Sequence, residues 1–314
     1  MHIATLGSAR VPESSSVRPA ARGAALACLV AATLLATGTA CSSGSGGGSE
    51  ALTALRHLPA DVHASKQVTY VDEARIRKMS TSDPKRFRSV ETPGSALLNQ
   101  YEAGPWGTSL KASQIGTAVD SSLGGHWDGT FDAAAVTASL KAHGFTPTEQ
   151  DGKQVWKRSG GAGPSFVIAE DEIRYATDAP VVTPGDPDGG ASLADKKEYR
   201  QVTDCLGDVY RADFNPLSAT EPVRLSALGQ QADDAGRNTE VLCVVVKDQA
   251  TADRLAAKLR SVIQKKAPRF DGTKVTVGKG DHPVVRAGVP DSASQRPGRL
   301  FVSDLGLWMA VASL

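Results

Sequence analysis

The chain has 314 residues, 40% hydrophobic and 22% charged, with a formal net charge of +1; this is ordinary globular composition, long enough for one large domain or two of typical size. Residues 1–40 carry Arg10, Arg18, Arg22 and Glu13, so the remainder is left at about −1. Near-neutral charge without a Lys/Arg cluster excludes the electrostatic footprint of nucleic-acid binding, and 5% aromatics argues against a sugar- or base-stacking groove.

Residues 1–40 read as a signal peptide. Arg18 and Arg22 precede an apolar run from Ala24 to Ala36, and Thr37-Gly38-Thr39-Ala40-Cys41 follows. A basic n-region, a short apolar h-region and small residues at the cut are the parts of a secretory signal. The run is roughly 13 residues against the about 20 that a bilayer-spanning helix needs. A start at Val17 would give a compact n-region. Cys28 has too few apolar residues before it to compete with Cys41 as the processed position.

Thr39, Ala40 and Cys41 resemble the lipobox of bacterial lipoproteins, although Gly38 stands where such boxes usually carry Leu. The resemblance implies lipidation of Cys41, which becomes the new N-terminus, and attachment to the outer face of the cell membrane. Residues 41–50 then read as the lipidated Cys and a flexible Ser/Gly tether. Together with its size and helix-then-hairpins pattern, the chain resembles actinobacterial-type secreted lipoproteins. That resemblance implies a location and carries over no functional residue.

Two α+β domains are expected, at 51–182 and 191–314, separated by the Pro/Gly-rich stretch Pro180–Ala191. The first opens with a strand at Gln67–Val71, a short helix at Asp72–Met79 and a second helix at Gly94–Tyr101. Asp132 suits an N-cap, and Phe131 with Val136 could form a hydrophobic staple. Val136 and Leu140 share a helix face, and Gly144 closes the helix. A hairpin follows, Phe145–Glu149 and Gln154–Lys157, turning at Asp151-Gly152, then strands at Ser165–Ala169 and Ile173–Ala176.

The second half repeats this order. Val241–Val246 is a strand, and a helix from about Gln249 to Lys265 aligns Leu255, Leu259 and Val262 on one face. Pro268 bars its continuation. Strands are then expected at Lys274–Val277, Pro283–Arg286, Leu300–Ser303 and Leu307–Val311. Residues 154–158, 166–169 and 173–176 pair as counterparts with 282–286, 300–303 and 307–310. The expected architecture is two related α/β sandwich units, each an antiparallel sheet with helices packed on one face.

Cys205 and Cys243 remain once Cys28 is removed and Cys41 is lipidated. In an oxidising compartment they can form a disulfide, closing a loop of about 38 residues and contributing on the order of 4 kcal/mol in the chain-entropy model. Two buried thiols are the alternative, because Cys243 lies in an apolar run.

Chemistry-bearing motifs are scarce. His126 beside Asp128 could be a base oriented by a carboxylate. His57, Asp61 and His63 lack the i, i+4 spacing of helical metal ligands, and Pro59 interrupts them. Ser82-Asp83-Pro84-Lys85 has Ser-x-x-K spacing, but Pro84 bars a helix interior there. Asp186–Gly190 has an acidic look without the twelfth-position Glu of a calcium loop. Asp171-Glu172 and Asp233-Asp234 read as solvated turns. No phosphate-binding Gly-rich loop, HExxH or GxSxG is present, and no cofactor or metal is implied.

The leading reading is a non-catalytic envelope module that binds another envelope protein or a small-molecule ligand in the groove between its repeated units. Trp127, Trp156 and Trp308 are candidate contacts, with core packing as their competing role. The alternatives are an extracytoplasmic hydrolase using His126 and Asp128, and an extracytoplasmic sensor that needs a membrane partner.

Overall fold

In the computed structural model, the strands of the described residues join one twelve-stranded antiparallel sheet. The structure describes residues 49–60, 67–81, 83–91, 98, 104–150, 152–160, 163–177, 181, 190–216, 221–292 and 294–314. All belong to the compact unit Gly46–Leu314. The expected signal peptide, Cys41, most of the tether, the body of the Gly94–Tyr101 helix, Asp61, His63 and Asp186–Gly189 lie outside the described residues. The tether is shorter than expected at its end. Ser49 already caps helix α1 (Glu50–Leu55), its hydroxyl accepting from the Leu52 N–H at 3.2 Å.

Capping and periodicity account for the first half. Strand β1 (Val68–Asp72) is buried throughout and ends on Asp72, whose carboxylate accepts from the Arg75 N–H at 2.8 Å and starts α2 (Glu73–Ser80). Strands β2 (Ile115–Ser121) and β3 (Gly124–Gly129) form the next hairpin. Asp132 caps α3 (Ala133–Ala142), accepting from the Ala135 N–H at 2.9 Å, and Val136 and Leu140 are its buried residues. Gly144 leaves the helix at φ +82°, a conformation that glycine adopts without Cβ strain. Strands β4 (Phe145–Gln150), β5 (Lys153–Arg158), β6 (Ser165–Ile168) and β7 (Glu172–Ala176) fall where the alternation places them.

The second half comprises α4 (Lys197–Leu206), β8 (Arg211–Pro216), β9 (Val223–Ala232), β10 (Asn238–Val246), α5 (Gln249–Lys265), β11 (Lys274–Val277), β12 (Val284–Pro290), α6 (Arg299–Val302) and α7 (Gly306–Ala312). The strands expected at Leu300–Ser303 and Leu307–Val311 are therefore helices. Leu307, Ala310 and Val311 are buried while Met309 is exposed. That i, i+3, i+4 pattern belongs to one helix face and not to a strand's alternation.

The sheet order is β11-β12-β10-β9-β8-β1-β2-β3-β7-β6-β5-β4. The halves are not separate sandwiches, because β1 pairs antiparallel with β8, Val68 opposite Phe214 through Val71 opposite Arg211. Read outward from this seam, a helix, three antiparallel neighbouring strands and a helix occur twice, α1 to α3 around β1-β2-β3 and α4 to α5 around β8-β9-β10, except that α2 is inserted between β1 and β2 with no counterpart between β8 and β9 among the described residues. Strand β12 lies beside β10 as β7 lies beside β3, so the positional counterpart of β12 is β7, not β5. The β4–β5 hairpin extends the first half at the outer edge.

Helices cover both faces of this sheet, not one. On β10, Val241, Cys243 and Val245 pack with α1 and α4, whereas Leu242, Val244 and Val246 pack with α5 and α7. Side chains alternate along a strand, so a continuous apolar run must be covered from both sides. On the α5 face of the first half, α3 closes a cluster containing Trp106, Trp127, Trp156, Phe131, Phe145 and Phe166. The class is α+β, as its residue pattern implies.

Cys205 on α4 is disulfide-bonded to Cys243 on β10, 38 residues apart. Reducing this bridge, or the double Cys205→Ala/Cys243→Ala change, is expected to destabilise residues 46–314 by about 4 kcal/mol and lower Tm by roughly 8–16 °C. Scanning calorimetry with and without reductant measures this; an unchanged Tm after complete thiol release would contradict it.

Candidate functional site

Alternation along β3 puts His126 and Asp128 on one face and Trp127 on the other. Register adds neighbours to the first pair: Thr117 faces Asp128 from β2, and Arg174 and Glu172 on β7 face His126 and Asp128. His126 Nε2 lies 2.9 Å from Asp128 Oδ1, and the Thr117 hydroxyl donates to Asp128 Oδ2 at 3.0 Å. Arg174 pairs with Glu172, its Nε donating at 3.0 Å. The imidazole of His57, in the turn after α1, stacks on His126 with ring centres 3.7 Å apart and planes 16° apart. Burial, then the adjacent His126, holds His57 below its ordinary pKa. Burial pushes the Asp128 carboxyl up, but hydrogen bonds from His126 and Thr117 outweigh it and leave the group below its ordinary range.

The structure thus joins the two candidate catalytic residues and closes one of them off. His126 is 2% exposed. One ring nitrogen is engaged by Asp128, the other lies 3.9 Å from Glu172, and a ring face is covered by His57. A general base must come within about 2.6–3.2 Å of a substrate proton, and this packing gives a substrate no such approach. The cluster instead pins the turn after α1 against β3 and β7. Among the described residues no group of three or more His, Cys, Asp or Glu could hold a metal ion.

Trp127 and Trp156 belong to the core. The Trp127 Nε1–H donates to Asp120 Oδ1 at 2.7 Å, and the Tyr175 hydroxyl donates to the same oxygen at 2.8 Å. Gly125 makes room for them, since a Cβ there would stand 2.5 Å from Asp120 Oδ1 and 2.6 Å from the Tyr175 ring. Both tryptophans are packed among aromatic neighbours and offer no binding surface. Trp308 is half-buried, 6.1 Å from Phe301.

A cleft of about 450 Å³ lies on the seam itself. The first half supplies Arg75, Lys78 and Met79 from α2 and Asp83, Arg86 and Phe87 from the following loop; the second supplies the turn from Ala232 to Gly236 between β9 and β10. Arg75 ties the two sides together, donating to Asp208 at 2.7 Å and to the Ala232 carbonyl at 3.2 Å. The apolar support mixes both halves, with Val71, Ile76, Phe87 and Val90 against Tyr210. The Asp233 carboxylate accepts from the Ala235 and Arg237 N–H groups and from Arg237 Nε, which hold it below its ordinary range. The sequence marks residues 233–234 as a turn. Nothing local connects them to Arg75 or Arg86, about 150 residues away.

A second polar group lies inside the α5 face. Fully buried Glu240 accepts from Gln230 Nε2 at 2.9 Å and from the Leu300 N–H at 3.3 Å. Asn238 links Gln230, Asp291 and the Tyr210 hydroxyl. Arg299 donates to Asp291 and Asp304, each at 2.7 Å. Burial, reinforced by the Asp291 charge, pushes Glu240 up to about 7.

No family model matches the chain, and no solved structure matches it. Over 236 residues it is 26% identical to a protein of Nocardioides sp. (strain ATCC BAA-499 / JS614) named UDP-N-acetylmuramate--L-alanine ligase, a span covering 71% of this chain and 51% of that protein. The chain thus spans about half the length of the curated relative it matches. No described helix is long and apolar enough to cross a membrane.

Two stability measurements follow from these groups. His126→Ala removes the stack and the Asp128 hydrogen bond, and is expected to cost about 1–3 kcal/mol, read as a lower urea midpoint at unchanged m; an unshifted midpoint would refute the pinning role. For Glu240, the folded pKa of about 7 exceeds the ordinary 4.5, so the folded state binds more protons between those values and loses stability as pH rises through them. Glu240→Gln should therefore gain on wild type as pH rises from 4.5 to 7, levelling off above that window. A pH-independent difference in urea midpoints would contradict the assignment.

Proposed function

We propose that this chain is an envelope lipoprotein, exported and tethered through Cys41 to the outer face of a membrane, that binds an envelope partner in the seam cleft without catalysing a reaction. One observation carries the reading: the cleft is assembled from both halves of the chain, with Arg75, Lys78, Asp83 and Arg86 supplied by the first half and Asp233 and Asp234 by the second. Mixed charge around an apolar floor provided by Met79 and Phe87 suits a partner whose own charges are complementary, and such pairs set specificity and encounter rate. Within the His126–Asp128 pair, the base is already enclosed, which favours binding over hydrolysis. The partial likeness to a UDP-N-acetylmuramate--L-alanine ligase covers half of that protein and supports no transfer of its activity. It does make UDP-N-acetylmuramate a reasonable small molecule to test.

A photo-crosslinker placed at Lys78 or Asp234 in the full chain, in intact cells, is expected to trap a discrete protein partner. Arg86→Glu should reduce the adduct by at least about fivefold, because a reversed charge repels the group it formerly attracted. Labelled fatty acid should enter the wild-type chain and not a Cys41→Ala variant. No adduct from either position, together with no rise in Tm on adding UDP-N-acetylmuramate, would overturn the binding reading. Absence of label would overturn the anchoring.

A further inference from the structure

The large hydrophobic side chains exposed among the described residues are gathered at one place. Val302 is 74% exposed, Leu305 43% and Met309 57%. Leu305 and Met309 are one helical turn apart, joined by the Met309 N–H to Leu305 carbonyl bond, and Val302 ends the preceding helix α6. Half-buried Phe301 and Trp308 pack beside them. Single exposed apolar residues need no explanation, but a grouped set rimmed by charge marks an interaction surface.

The rim is basic. Lys266 lies against α7, its Nζ 2.8 Å from where a Cβ on Gly306 would be. Lys258 donates to the Ser313 carbonyl at 2.7 Å, and Arg269 pairs with Asp304 at 3.0 Å. Arg269 and Arg296 line a depression of about 520 Å³ shared with Val302. This is the local expression of a larger segregation. Residues 254–314 contain eleven Lys/Arg and four Asp/Glu, a net +7, while residues 1–253 carry −6. Such asymmetry inside a near-neutral chain points to an anionic partner surface.

We propose that α6 and α7 form a membrane-contact surface, with Val302, Leu305 and Met309 entering the interfacial region of the bilayer and Lys258, Lys266, Arg269 and Arg296 facing anionic phospholipid headgroups. Apolar insertion and basic attraction act together at such surfaces, and each basic residue near an anionic leaflet adds to the attraction. A second copy of the chain is the poorer occupant: a twofold contact would set one basic rim against its own image, and like charges repel. The surface is distinct from the seam cleft and does not depend on what binds there. It also needs no acylation at Cys41, so it can be tested without the lipid.

The test uses the compact unit 46–314, which holds all four hydrophobic clusters and lacks both the apolar leader and Cys41. Sedimentation with mixed phosphatidylglycerol–phosphatidylcholine vesicles should carry the protein down, pure phosphatidylcholine vesicles should not, and raising salt to about 0.5 M should release it. Val302→Asp/Met309→Asp and Lys266→Glu/Arg296→Glu should each weaken binding by at least about tenfold with Tm preserved. Because all four side chains are exposed, the folded state tolerates these changes. The proposal is overturned by absent binding, by equal binding to both vesicle types, or by binding that either double variant leaves intact. A concentration-dependent dimer that Val302→Asp/Met309→Asp dissolves would overturn it as well, assigning the patch to self-association.

Discussion

Antiparallel pairing of β1 with β8 is the constraint on which the rest of the molecule rests. It makes one sheet of two half-chains, and it brings together side chains that only make sense jointly. Thr69 stands between Asp120 on β2 and Asp213 on β8, donating to Asp213 at 2.9 Å, while Arg211 donates to the other Asp213 oxygen at 2.8 Å. Tyr70, next in the chain, faces the opposite side among the residues of α1 and α4. A one-residue slip would exchange these environments, burying Thr69 among leucines and Tyr70 among charges, so the register is held by polar groups as firmly as by apolar ones.

The same seam explains why the halves share cores. The α1–α4 cluster draws on β1, β2, β8, β9 and β10 alike, and the smaller cluster beneath the cleft sets Ile76 and Phe87 of one half against Tyr210 of the other. Neither half would keep its apolar faces covered alone. Burial at this junction also perturbs acids: Glu73, the first residue of α2, is pushed up to about 8, chiefly by its removal from water. The disulfide adds a covalent tie between α4 and β10 on the shared face.

Net charge, taken as a single number, conceals how this protein is polarised. A value of +1 is the residue of a basic C-terminal fifth and an acidic remainder. Within the acidic part several charges are engaged locally, as Asp132 and Asp72 are by helix N–H groups and Asp128 by His126. At the C-terminal helices, several cations stand beside exposed hydrophobics with few acids near them. The averaged charge bears on solubility; the arrangement bears on what the surface can meet.

Local chemistry was enough to place what local chemistry controls. Asp132 as a cap, Gly144 as a stop, the two-residue β4–β5 turn and the seventeen residues of α5 were all readable from neighbours within a few positions. So was the disulfide-capable pair, and so was the partnership of His126 with Asp128, because residues two apart on a strand must share a face. Reading failed where period and partner both mattered. The run Leu307–Val311 is apolar enough for either a strand or a helix, and only packing against α5 selects the helix. Core packing was one of two roles open to Trp127 and Trp156, and a groove between the halves was expected without its residues; the stacking of His57 on His126, the enclosure of Glu240 and the side chains that line the seam cleft were beyond it altogether. By itself the sequence determined the elements and their caps, since these depend on contacts within a turn or two. The tertiary structure alone decided which polar groups lost their water and which met across the seam, because those outcomes depend on strands far apart in the chain coming to lie side by side.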